Sequence, residues 1–334
     1  MATNINFIHS KNDKMKKCFF YRTIIVTLFL SMPVVYLSAQ QKPNGKKIFQ
    51  KEYDLVPQHT KDTQYYVMES RLLKYALDGT HQGWDVYRLY LRCIPANKTS
   101  LKGDEYTCLK FIVQLSNSPE ISIPSLANWK YFFSLTANAK DEKGQVFGID
   151  HSKFERLVDE NGKALPVENT YHVYNAFIDF HSMSVFAEKT SEGKGVQDLK
   201  RIGQKIIHAA SFSQPPVNLG SQVAEGSYFK NGEIMLAFKG LSLVNKKICA
   251  ILEYDSGESS FYMLTKPFAN MEVKTKGSSH YLGDIYKDLN GGWIQKATLH
   301  ELVISETVVP VQTNKINSVI ERSISINNVA EIKL

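Results

Sequence analysis

The stretch Glu233-Ile234-Met235-Leu236-Ala237-Phe238-Lys239 carries its large apolar residues, Ile234, Leu236 and Phe238, at every second position. A period of two sends alternate side chains to opposite faces of a pleated strand, so the stretch reads as a strand with one buried face. Asn231-Gly232 stands just before it, a pair that tolerates positive φ and predicts a tight hairpin turn with Tyr228 and Phe229 in the preceding strand. Downstream, Ile248, Ala250, Leu252 and Tyr254 alternate in a further strand that ends at Asp255-Ser256-Gly257. Segments 260–264, 271–275 and 281–289 continue the series, and after Asn290-Gly291-Gly292 residues 293–309 have room for one bent strand or two. Turn residues thus recur about every ten to twelve positions across residues 227–306, the spacing of an antiparallel meander.

Working outward, residues 61–150 form a first β-rich block. Residues 65–77 read as a strand or a short helix, and 84–94 and 106–115 as strands around a polar loop. Residues 130–137 and 145–149 follow, joined at Asp141-Glu142-Lys143-Gly144. The period then changes. A short amphipathic helix is expected over 152–158 and a longer one over 169–188, where Tyr171, Tyr174, Phe177 and Ile178 recur at three- and four-residue steps. Phe180, Met183 and Phe186 spread the apolar surface almost all round this helix, which predicts packing on more than one side. A weaker helical piece is expected over 196–210, before Pro215-Pro216 ends helical structure. The fold class is therefore α+β: curved antiparallel sheet in two β-rich blocks, with a helical insert at 151–213. The C-terminal meander spans 214–310. In the tail, 311–334, Ile324 and Ile326 alternate with Ser323 and Ser325, as in a last strand or a free end. One sheet or two satisfies the pattern equally.

Residues 1–39 show the order of a secretory signal peptide: Lys11, Lys14, Lys16, Lys17 and Arg22, then an apolar run over 24–37, then Ser38-Ala39. Met15 would place Lys16-Lys17 at the extreme N-terminus, and an uncleaved N-terminal anchor is the alternative. A polar, mobile lead is expected over 40–60. Residues 1–39 hold five basic residues and one acidic, so their removal lowers the net charge from +7 to +3. A small excess spread along the chain excludes the clustered basic footprint of a nucleic-acid binder. In an exported protein, Cys93 and Cys108, flanking a hairpin loop, form a candidate disulfide, the alternative being buried thiols. No CxxC pair supports metal binding by cysteine.

Several stretches resemble a group of uncharacterised, exported bacterial proteins: Phe147-Gly148-Ile149-Asp150-His151, Tyr174-Asn175-Ala176-Phe177-Ile178-Asp179-Phe180-His181, Pro215-Pro216-Val217-Asn218-Leu219-Gly220, Phe238-Lys239-Gly240-Leu241-Ser242 and Gly277-Ser278-Ser279-His280-Tyr281. That resemblance covers most of the chain and implies no activity. By strand order, the C-terminal meander is similar to the curved sheets of lipoprotein-carrier-like half-barrels.

Three constellations could carry chemistry. Ser259 or Ser260 as nucleophile, with His280 as base and Asp284 as its orienter, would make a serine hydrolase, although no Gly-x-Ser-x-Gly elbow exposes either serine. The plainer reading is a Ser-Gly turn leading into a strand. His172 and Asp179, seven residues apart, share a helical face and could ligate a metal, whereas His181 falls opposite His172. Trp84, Trp129 and Trp293 with many Tyr and Phe could line a sugar or lipid site or simply pack the core. The preferred expectation is a non-enzymatic exported protein without cofactors. Its curved sheet would bind a lipid, sugar or other small apolar ligand, with Glu258, Ser260 and His280 orienting it, or would meet an envelope protein partner. A purely structural interaction module is the third class. No nucleic acid is expected, and membrane contact only through the export segment.

Overall fold

The computed structural model describes residues 49–96, 103–134, 148–189, 193–214, 216, 219, 223–268, 271–310 and 315–333. The expected signal peptide and the turn at 141–144 lie outside them. Within residues 45–334, three strands open the fold: β1 (Gln64–Tyr75), β2 (His81–Ile94) and β3 (Asp104–Leu115), followed by short β4 (Ile121–Ser122) and β5 (Trp129–Phe133). Helix α1 spans Val167–Ala187. Then come β6 (Lys205–Ala209), β7 (Phe212–Gln214), β8 (Tyr228–Asn231), β9 (Ile234–Val244) and β10 (Lys247–Asp255). Strands β11 (Ser259–Phe268), β12 (Met271–Asp288), β13 (Ile294–Val308) and β14 (Ile316–Val329) complete the chain.

All fourteen strands belong to one antiparallel sheet, curved and not closed on itself, with the principal order β4-β3-β2-β1-β14-β13-β12-β10-β9-β6. The tail decides this arrangement. β14 pairs with β1 on one side, Met68 opposite Ile326, and with β13 on the other, Ile326 opposite Ala297. Two blocks far apart in sequence thereby become neighbours. Tyr66, Met68 and Leu72 of β1, Leu89 and Leu91 of β2, and Ile324 and Ile326 of β14 are all buried on the inner face. That is the alternation expected of strands with one covered side.

Several local expectations are corrected by pairing. Segments 271–275 and 281–289 are one strand, β12, whose first half pairs with β11 and second half with β10. Within the β10-paired half, Gly283 lies opposite Tyr254 and makes room for its ring. A Cβ there would fall 2.6 Å from the Tyr254 hydroxyl, which crosses β12 to donate to the Thr298 carbonyl at 2.8 Å. Asn231-Gly232 is not a β8–β9 hairpin: β8 pairs with β11 and β7. Gly232 instead packs against the Asp255–Glu258 turn, where a Cβ would lie 2.4 Å from the Ser256 carbonyl oxygen. The helical piece expected over 196–210 is a short turn, Val196–Asp198, followed by β6, which the edge of β9 recruits as a strand. The helix expected over 152–158 is the single 3-10 turn His151–Phe154. The described part of the expected mobile lead packs against the sheet, with Leu55 buried and Tyr53 edge-on to Phe238.

α1 lies across the inner face, touching β1, β2, β12, β13 and the 151–154 turn. Its rings interleave with those of the sheet: Phe177 stacks on Phe111, Phe180 meets Tyr66 edge-on, and Phe186 packs against Tyr254. Halfway along, Asp179 meets the Arg322 guanidinium, which also donates through Nε to Glu301 at 2.6 Å. All three side chains are at most 15% exposed. Two carboxylates share one cation, and burial together with Glu301 pushes the Asp179 carboxyl up despite Arg322.

Removing one partner of a buried ionic cluster strands the others without compensation. Arg322→Met is therefore expected to lower unfolding free energy by about 3–5 kcal/mol in urea titrations, and replacing Asp179 and Glu301 with leucine in the same chain should restore most of the loss.

Candidate functional site

α1 ends at Ala187, with Glu188 as its C-cap. The space left at that end is a half-enclosed cavity of about 310 Å³. Tyr66 comes from β1, Asp104 and Tyr106 from β3, and Phe133 from β5. Phe180, Ser184 and the capping Glu188 come from the helix, and Trp293 and Ile294 from the start of β13. His59 closes one side, its ring stacked on Trp293 at 3.9 Å. Gly292 makes that stack possible: it holds φ at +75°, and a Cβ would sit 2.6 Å from the His59 ring. Trp293 Nε1 donates to the Thr60 carbonyl, fixing the N-terminal segment to the turn between β12 and β13.

An acidic residue at a helix C-terminus faces the negative end of the macrodipole, so Glu188 needs a cation. Lys287, on the inner phase of β12 and 0% exposed, donates to Glu188 Oε1 at 2.7 Å. His59 Nε2 approaches the same oxygen at 3.0 Å. Burial works against ionisation of Glu188, yet Lys287 and His59 hold its carboxyl below the ordinary range. Asp104 differs. Its Oδ1 accepts the Ala96 N–H at 2.8 Å, but no Lys or Arg reaches it among the described residues. Burial pushes the Asp104 carboxyl up, against the Ala96 N–H and the charge of His59, and the negative charge of Glu188 adds to the push.

Behind the cavity wall, His181 stacks on Phe133 at 3.7 Å and its Nε2 meets the Tyr131 hydroxyl at 3.0 Å. Its Nδ1 is buried without a partner. Burial lowers His181 to about 3 and His172 to about 4.

The residues singled out from sequence are mostly elsewhere. Ser259 is buried on the inner side, opposite Ser279, and accepts the Gly232 N–H. His280 stands exposed on the outer face, bonded to Asp255 at 2.8 Å, while Asp284 pairs with Lys239. Ser260 pairs with Ser278 and is diagonal to His280, without a hydrogen bond between them among the described residues. The expected relay through Asp284 is thus not assembled, because the turn after β10 offers His280 a nearer carboxylate. Glu258, Ser260 and His280, the expected ligand contacts, do not line the cavity. His172 and Asp179 share a face as expected, but Arg322 occupies the place a metal would need: it engages Asp179 and its charge opposes protonation of His172. Cys93 and Cys108 are free and buried. Cys93 pairs with Tyr106 and Cys108 with Leu91, a diagonal offset. Diagonal neighbours lie roughly 7–8 Å apart, beyond the usual disulfide span. Of the three tryptophans, Trp293 lines the cavity, whereas Trp129 stacks on Tyr131 in the core. His59, Asp104, Glu188 and Lys287 were missed. A lysine in phase with Tyr281, Gly283 and Ile285, and an acid ending a helix, were the available signals.

Buried His181 and half-buried His172 contribute to the acid response. The unfolded chain takes up these protons near pH 6.5, whereas the folded chain excludes them down to about pH 4 at His172 and about pH 3 at His181. Their contribution is present above pH 6.5 and is lost as pH falls below it. Urea titrations at successive pH values should show stability falling by about 1.4 kcal/mol per pH unit for each histidine. His181→Phe should remove one of those two protons from the slope.

No family model matches the chain, and no curated protein matches it. Among solved structures, OmpTΔL8, the loop L8 deletion mutant of the outer membrane protein OmpT of Vibrio cholerae, is 10% identical over 79% of this chain and 99% of that one. The TM-score of 0.17 carries no argument about fold or function.

Proposed function

We propose that this is an exported, non-enzymatic binding protein that holds a small amphipathic ligand in the cavity at the end of α1. One observation carries the reading: about 310 Å³ of space, bordered by the rings of Tyr66, Tyr106, Phe133, Phe180 and Trp293, with Asp104, Ser184, Glu188 and His59 among them. Ligand sites are typically concave and largely apolar, with a few placed polar groups that orient what binds. Burial of the ligand's apolar part drives association, and the polar groups select its head. Export is supported by the basic, apolar and small-residue order of residues 11–39. Binding is favoured over hydrolysis because Ser260 and His280 stand on the outer face without a bond between them.

The neutral dye N-phenyl-1-naphthylamine tests this reading. Its fluorescence should rise on addition of the purified protein. The rise should be lost in Ser184→Phe, which fills the cavity, while the circular dichroism spectrum stays unchanged. Native mass spectrometry of gently purified protein should show a bound small molecule. No dye response and no bound mass would favour the structural module, and a serine-reactive probe that labels the wild type but not Ser260→Ala would favour the hydrolase.

A further inference from the structure

The charges around the cavity do not balance. Lys287 is fully buried and satisfied by Glu188 at 2.7 Å, so that pair is neutral and closed to other partners. His59 is held on the same Glu188 oxygen. Asp104 accepts a backbone N–H and, among the described residues, is paired with no lysine or arginine, only the charge of His59 acting on it across a space that Tyr66, Tyr106, Phe133, Phe180 and Trp293 border. A partly buried carboxylate among rings is costly unless a positive charge joins it, and aromatic faces attract cations by their quadrupole. An anionic head would meet two carboxylates. A hard metal ion would need several oxygen ligands, and the ring-lined wall offers few. An organic ammonium group satisfies both features at once, because its charge meets the carboxylate and its alkyl surface meets the rings.

We propose that the cavity takes its ligand by an organic ammonium group, with Asp104 as the counter-charge and the surrounding aromatic residues as its cage. This assignment rests on the reading of the cavity as a ligand site.

The test uses choline and its neutral isostere 3,3-dimethyl-1-butanol, which has the same shape with carbon in place of the charged nitrogen. Each is titrated into the purified protein by calorimetry and by displacement of N-phenyl-1-naphthylamine. Choline is expected to bind roughly tenfold more tightly or better. Asp104→Asn, which keeps the acceptor for the Ala96 N–H, should bring choline to the level of the alcohol. Equal binding of choline and the alcohol, no choline binding where the dye still binds, or indifference to Asp104→Asn overturns the ammonium assignment and leaves the cavity reading standing. Failure of the dye and of both small probes overturns the two together.

Discussion

A helix that is apolar almost all round cannot rest on a surface; it has to be enclosed. α1 meets that constraint by lying along the inner face of a curved sheet, with Phe177 between Phe111 and Phe154 and Phe180 against Tyr66 and Tyr106. Enclosure then imposes a second demand, because the helix also carries Asp179 and ends in Glu188. Each is met by a cation from the sheet, Arg322 of β14 and Lys287 of β12. Buried pairs of this kind repay much of their Coulomb energy in desolvation, so their larger effect is positional. Sliding the helix by one turn, about 5.4 Å, would leave both carboxylates and both cations unmatched in apolar surroundings.

The same docking creates the cavity. With the helix position set by the two pairs, its last turn, at Ser184 and Glu188, borders the cavity. Trp293 and His59 border it as well, and the stack between them depends on the positive φ of Gly292. Glu188 lies at the boundary. It closes the helix and neutralises the lysine beneath it, whereas Asp104 meets no lysine or arginine among the described residues. Structural and candidate functional groups therefore share one electrostatic network, and a change at either Lys287 or Glu188 acts on both helix docking and the cavity.

Much of the fold was legible in local pattern. The alternation through Ile234, Leu236 and Phe238 marks β9, and the three- and four-residue steps around Phe177 mark α1, because one-sided burial writes the period of the element into its apolar residues. The failures have specific physical causes. Asn231-Gly232 has hairpin chemistry, yet its glycine serves a close backbone approach to the Asp255–Glu258 turn. The 196–210 segment becomes a strand because an open β9 edge lies beside it. Two expected strands merge into β12 because a strand can exchange one partner for another without leaving the sheet. Trp293 was a visible candidate for the site, whereas Asp104 is one acid among many until coordinates place it in the cavity wall.

By itself, the sequence determined the class of the fold, the existence of a doubly packed helix and the phase of most strands, since these follow from the spacing of apolar residues along the chain. Only the tertiary structure decided that the tail is the central strand uniting both blocks, and that Arg322 and Lys287 face inward to meet acids 143 and 99 residues away. Register between distant strands and the pairing of buried charges depend on contacts across the chain, and such contacts leave no period in the sequence.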